Sequence, residues 1–200
     1  MNKRHSQGGI KGLIIGIILV CLVLGYYYYL SNRKSETAQE EVVKISAVQE
    51  VLMRNLDNNY PPTPREVVKY YCQITQCFYG ETYTEEEFQA LAFKIQEIYD
   101  DELVANKTQQ QYLEDLRWDV NNLKEQGVVI SSYALSSSTD VEEFKKDGFT
   151  WAKLYCAFTL RQKTKLASTE EIFLLRKDEN GHWKIYGWKL ADEVEQNDGD

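Results

Sequence analysis

The chain has 200 residues, with 31 acidic side chains against 23 basic ones, a formal net charge of −8 and four cysteines. Every acidic residue lies beyond position 34, while five basic ones (Lys3, Arg4, Lys11, Arg33, Lys34) lie at or before it, so residues 35–200 carry a net charge of −13. That excludes nucleic acid as a partner, because binding phosphate demands a basic footprint, and a segment of this length holds one domain with a single core but not two.

Residues 12–30, GLIIGIILVCLVLGYYYYL, contain no charge, and at about 1.5 Å per helical residue they match a hydrocarbon core roughly 30 Å thick. The pattern predicts a single transmembrane helix in a cell membrane. Lys3, Arg4, Lys11 and the amino terminus outweigh Arg33 and Lys34, which favours a cytoplasmic tail over 1–11 and an extracytoplasmic remainder. Tyr26, Tyr27, Tyr28 and Tyr29 then fall at the outer interface, where rings with a polar tip are comfortable. A cleaved signal peptide is the rival reading, but no small-x-small cleavage pattern follows the apolar run. Cys21, preceded by Val20 inside the span, lacks the context of a lipoprotein cysteine.

Residues 31–62 read as a juxtamembrane amphipathic helix and a Pro-rich linker. Ala38, Val42, Ile45, Val48, Leu52 and Leu56 recur at steps of three and four, which fits either a stalk or a helix packed back on its own domain. Tyr60-Pro61-Pro62-Thr63-Pro64 breaks the helix, because proline removes donors and forces the preceding residues to extend.

The globular domain is expected over 63–191, followed by an acidic, frayed tail over 192–200. Thr63 caps its first helix, with Pro64 at the first helical position and Glu66 three residues after the cap. The apolar face is Val67, Val68, Tyr71, Ile74 and Phe78. Thr84 and Glu87 open the second helix, with Phe88, Leu91, Ile95, Ile98 and Tyr99 inward and Asp100 and Asp101 ending or kinking it. Thr108 and Gln111 open the third, whose stripe is Tyr112, Leu116, Val120 and Leu123, and Gly127 supplies the left-handed stop.

From Val128 the period changes to that of strands. Residues 128–135 are one strand and 136–147 a polar connection with a helical turn at 141–145. Residues 149–160 place Ala152, Leu154, Cys156, Phe158 and Leu160 on a core-facing side, and Trp151, Lys153, Tyr155 and Thr159 on the other. Residues 168–176 continue the sheet. Asp178-Glu179-Asn180-Gly181 is a hairpin turn, and 182–190 the last strand. The expected class is α+β: three helices packed on a curved antiparallel sheet of about four strands.

That order, closing with LLRKDENGHWKIYGWKL, resembles the cone-shaped nuclear-transport-factor-2-like (NTF2-like, cystatin-like) fold over roughly residues 63–191. The segment NNYPPTPREVVKYYCQI, joined to an N-terminal anchor, also resembles a family of uncharacterised single-pass membrane proteins of Gram-positive anaerobes. The resemblance implies a bacterial extracytoplasmic cone. Many members of the fold carry a short strand between the second and third helices, and none is legible here.

The fold hosts isomerases, secretion-system scaffolds and dimerisation modules, so function must come from the residues. An enzyme of this kind needs a general acid or base inside the cone, and the long strand's core-facing Leu154, Cys156 and Phe158 offer neither carboxylate nor histidine. Glu114 and Asp119 on the third helix read as a solvated face. Cys156 lacks an obvious base except His182. No metal site is expected with His182 the one histidine beyond the N-terminal tail, and no cofactor, since no phosphate-binding glycine loop is present. Cys72 and Cys156 are left as free thiols or a disulfide; Cys72 and Cys77, five apart on a helix, diverge. Asn106-Lys107-Thr108 matches a glycosylation sequon, but Thr108 already serves as a cap. Trp151, Tyr155, Tyr186 and Trp188 form a candidate aromatic strip that either braces the sheet or binds a peptide, a glycan or a second copy. The leading expectation is a membrane-anchored, non-catalytic extracytoplasmic domain that binds an envelope protein or itself. A scaffold subunit of an envelope-spanning secretion or conjugation complex and a small-molecule-binding or isomerase-like domain are the alternatives.

Overall fold

The structure, a computed structural model, describes residues 45–191. The tail 1–11, the apolar segment 12–30, residues 31–44 and the tail 192–200 lie outside the described residues, and with them the expected membrane span. Among the described residues no helix is long and apolar enough to cross a membrane.

The first described helix, α1 (Ala47–Met53), is closed by a capping box in which Gln49 N–H donates to Ser46 Oγ and Ser46 N–H donates to Gln49 Oε1. It turns Val48 and Val51 into the core, and Leu56 follows them. In its described part, therefore, the amphipathic segment packs back on the domain. The Tyr70 hydroxyl donates to Val51 O at 2.9 Å in a buried site. The Pro-rich linker is tied down as well: Tyr60 stacks on His182 at 4.2 Å and its hydroxyl donates to Trp183 O at 2.9 Å.

Three capped helices follow. Helix α2 (Pro64–Gly80) has Thr63 as its N-cap, α3 (Glu85–Gln96) has Thr84, and α5 (Gln109–Glu125) has Thr108 and ends at Gly127 with φ of 66°. Between α3 and α5 lies a five-residue helix, α4 (Asp101–Ala105), for which Asp100 is the N-cap. The sequence reading had Asp100 and Asp101 ending or kinking a helix, whereas they begin one. The box at Thr84 pairs Glu87 N–H with Thr84 Oγ1 at 3.2 Å and Thr84 N–H with Glu87 Oε2 at 2.9 Å. Thr84→Ala is expected to lower stability by about 1 kcal/mol in thermal unfolding; an unchanged transition would show that the second partner holds the turn alone.

The sheet has five antiparallel strands: β1 (Val128–Leu135), β2 (Glu142–Lys146), β3 (Phe149–Gln162), β4 (Lys165–Lys177) and β5 (Trp183–Leu190). Its order is β1-β3-β4-β5, with β2 also pairing with β3. Strand β1 takes the C-terminal half of β3, from Cys156 to Gln162, and β2 the N-terminal half, from Phe149 to Lys153. Strand β2 corrects the expected polar connection: the helical turn expected at 141–145 gives way to strand, and the helical element, a 3₁₀ turn, lies earlier at Ser138–Asp140. All five residues of β2 are exposed, so no alternation marks it. The legible signal was Asp147-Gly148, a two-residue loop with φ of 51° and 82°, the type I′ geometry that closes a hairpin.

Inner-face residues of β3 and β4 alternate into the core beneath the helices: Ala152, Leu154 and Cys156 opposite Leu175, Phe173 and Glu171. Beyond β5, the chain between α3 and α4 adds one parallel rung. Ile185 N–H donates to Ile98 O and Asp100 N–H to Ile185 O, both at 2.9 Å, which places Tyr99 beside Ile185.

Candidate ligand cavity

Of the residues of α5, Val120 alone is buried, on the side of Tyr83 and Phe88. The rest of its apolar stripe, Tyr112, Leu116 and Leu123, stays half-buried or exposed and lines a cavity of about 530 Å³ between the helices and the inner sheet face. Opposite α5, helix α2 presents Tyr71, Thr75, Phe78 and Tyr79, spaced i, i+4, i+7 and i+8 so that they share one side. Phe158 and Leu160 of β3, and Val128 and Ile130 of β1, form the apolar floor. Tyr99 and Trp188 close the end nearest β5.

Into this lining β4 sends Thr169 and Glu171, which share the face of Phe173 and Leu175. Glu171 stands between Cys156 on β3 and Leu190 on β5. Its Oε2 is shut off from solvent and has no hydrogen-bond partner among the described residues. Desolvation pushes its carboxyl up to about 7, because an ion loses more than a neutral acid when water is removed. Burial also raises the phenols of the lining: Tyr79 up to about 12, assisted by the negative charge of Asp119, and Tyr71, Tyr99 and Tyr112 above the ordinary tyrosine range. At neutral pH the tyrosines are therefore neutral hydrogen-bond donors, while Glu171 exchanges its proton. The set can bind a polar group within apolar walls and can give or take one proton.

The sulfurs of Cys72 and Cys156 lie 3.5 Å apart as free, buried thiols. Burial first, then the contact with Cys156, raises the Cys72 thiol far from ionisation, which makes it inert as a nucleophile. Cys156 meets Cys72, whereas His182 lies in the β4–β5 hairpin against Tyr60. Among the described residues no group of His, Cys, Asp and Glu is arranged to hold a metal ion.

The family described as Domain of unknown function (DUF6715) matches residues 1–188 of this chain. The chain belongs to that family. The match joins the apolar segment 12–30 and the whole cavity in one family unit. No curated protein matches the chain.

In this DUF6715 domain the four aromatics singled out from the sequence do not form one strip. Trp151 and Tyr186 lie together on the outer sheet face, ring centroids 5.0 Å apart and edge to face. The Arg176 guanidinium covers both, at 5.6 Å and 5.1 Å from their centroids. Tyr155 is on that face too, opposite Ile172 and 6.0 Å from Lys153 Nζ. Trp188 is turned the other way, packing on Tyr71 at 5.3 Å, Tyr99 at 5.6 Å and Phe173 at 6.0 Å. The cause is a β-bulge: Leu175 pairs with Ile185 and Leu174 with Gly187, leaving Tyr186 as the extra residue. One extra residue reverses the parity of everything after it.

Leu154, Cys156 and Phe158 are buried on the core face, and Phe158 reaches the cavity. Asp119 lines the mouth, whereas Glu114 is exposed and accepts from Gln110 Nε2 at 2.8 Å. The residue that sequence reasoning missed is Glu171. Counting back by twos from Phe173 along SerThrGluGluIlePheLeuLeu puts a carboxylate at a core position, which was the available signal.

Proposed function

We propose that this DUF6715 domain is a small-molecule-binding module, anchored by residues 12–30 in a cell membrane and facing away from the cytoplasm. The observation that carries the reading is the cavity of about 530 Å³ with Glu171 in its lining, one of whose carboxylate oxygens is buried without a partner among the described residues. Concave, mostly apolar sites with a few convergent polar groups are the usual form of a ligand site. An unpartnered buried carboxylate is otherwise a net cost to the fold.

The resemblance to the NTF2-like cone supports the same reading. Helices precede an antiparallel sheet and cover one of its faces, and a single parallel rung at Tyr99 lies between the second and third long helices. Recognition of a partner protein by the outer face is less well supported. Its aromatics are occupied with each other and with Arg176, which also binds Asp100 and Glu102.

Filling the cavity tests the proposal. Leu116→Trp and Leu160→Trp place an indole in the open space without adding charge. A fragment library screened by ligand-observed NMR against the full chain in lipid nanodiscs, with empty nanodiscs subtracted, is expected to yield small binders lost from both filled variants. If no fragment distinguishes wild type from the filled variants while both fold, the cavity is not a binding site.

A further inference from the structure

The chemistry of the lining narrows the ligand class, on the footing that the cavity is a binding site. Among the described residues that line it Lys107 is the one cation, and its Nζ is held by Asp115 Oδ2 at 2.5 Å. Asp119 near the mouth and Glu171 within are the remaining charges, both anionic. The walls around them are aromatic: Tyr71, Tyr79, Tyr99, Tyr112, Phe78 and Trp188. Ring faces attract cations through their quadrupole, more strongly where water is excluded. A buried carboxylate is stabilised by an opposite charge with hydrogen bonds to give.

We propose that the cavity binds an organic amine: an ammonium group seated against Glu171 within the ring of tyrosines, carrying an apolar body of aryl or branched-alkyl type along the floor formed by Phe158, Leu160 and Ile130. An anionic ligand meets two carboxylates, with no unpaired cation among the described lining residues to offset them. A neutral ligand is met by Glu171 in its protonated form and gains no cation–π attraction from the aromatic faces. The acidic balance of residues 35–200 adds long-range attraction for a cation.

Binding of this kind moves a proton. The titratable groups facing Glu171 are Tyr71, Cys72 and Tyr79 from α2 and Cys156 from β3. Around the rest of the lining, α5 presents Tyr112, Asp115 and Asp119, the α4–α5 connection Lys107, and the rung beside β5 Tyr99. Desolvation raises the Glu171 carboxyl into the neutral range, to about 7. An ammonium beside it favours the ionised form, so the carboxyl proton is released to the buffer.

The test uses three probes with one body: 4-phenylbutylamine, 4-phenylbutan-1-ol and 4-phenylbutyrate. Each is titrated calorimetrically into the full chain in lipid nanodiscs at pH 7, in buffers of different ionisation enthalpy, with empty nanodiscs subtracted. The amine is expected to bind at least tenfold tighter than the alcohol and to release about half a proton per molecule bound. The butyrate is expected to bind weakest. Glu171→Gln is expected to remove both the preference and the proton release. Because the proton count is read on wild type, it stands even without a folded variant.

Alcohol and amine binding equally well, both blocked by Leu116→Trp, overturns the amine assignment and leaves the cavity reading intact. Binding by none of the three overturns the amine assignment, and the fragment screen against the filled variants then decides the cavity reading. A preference for the amine that survives Glu171→Gln places the cation elsewhere and overturns the proposal.

Discussion

Arg176→Ala is expected to destabilise the domain by about 2–4 kcal/mol, because it strands a buried negative charge. Arg176 donates through Nε and Nη2 to the two oxygens of Asp100 at 2.9 and 2.6 Å, and through Nη1 to Glu102 Oε1 at 2.7 Å. The side chains of Arg176 and Asp100 are 14% and 6% exposed, so the pair is shielded from water. Asp100 also caps α4 by accepting from Glu102 N–H at 3.0 Å. Without the guanidinium its carboxylate keeps that single bond in a dry site. Lysine is a poor substitute, since one ammonium cannot satisfy both oxygens in a fork.

The discriminating experiment is urea unfolding of the single variants and of Arg176→Ala combined with Asp100→Asn. Neutralising the stranded carboxylate is expected to restore part of the loss, which distinguishes a buried charge from lost packing of the arginine stem. A loss below about 0.5 kcal/mol for Arg176→Ala, typical of an exposed ion pair, would show that solvent reaches Asp100. The same change is expected to weaken ligand binding. Asp100 and Ile98 hold the rung against β5, and Tyr99 between them lines the cavity.

What was legible in the sequence was local. Caps at Thr63, Thr84 and Thr108 are visible because the capping residue and its partner stand three apart and act within one turn. Strand β1, the β4–β5 hairpin and the core face of β3 follow from alternation and from the Asn180-Gly181 turn. Strand β2 was missed because an exposed strand carries no hydrophobic pattern, although Asp147-Gly148 marked its hairpin. The bulge at Tyr186 lies in a stretch whose letters alternate smoothly. It is decided by pairing with β4, so Trp188 was assigned to the wrong face.

Nor is the cavity a property of any one segment. Tyr112, Leu116 and Leu123 read as a packed stripe, and the sequence cannot say how far that stripe stands from the sheet. Asp100 shows the same limit. Its role as a cap is local, but its partner Arg176 is on the fourth strand.

Glu171→Gln is expected to stabilise the domain at pH 8 and to leave it unchanged at pH 4. The folded state holds the Glu171 proton up to about 7, against an ordinary value of 4.5. Between these values the folded chain binds more protons than the unfolded one, so stability falls as pH rises. The contribution is fully present below 4.5 and is lost as the pH passes through about 7. With the group partly reached by solvent, the loss is about 1–2 kcal/mol. Glutamine keeps the shape and does not ionise.

The difference between the two proteins isolates Glu171 from every other carboxylate. Urea unfolding at intervals from pH 4 to pH 8 is expected to give curves that coincide at the acid end and separate through neutrality, with glutamine the more stable. Parallel curves would mean that Glu171 ionises as a solvated side chain. In that event the carboxylate has its own access to water, and the cavity has no buried charge with which to recognise a cation.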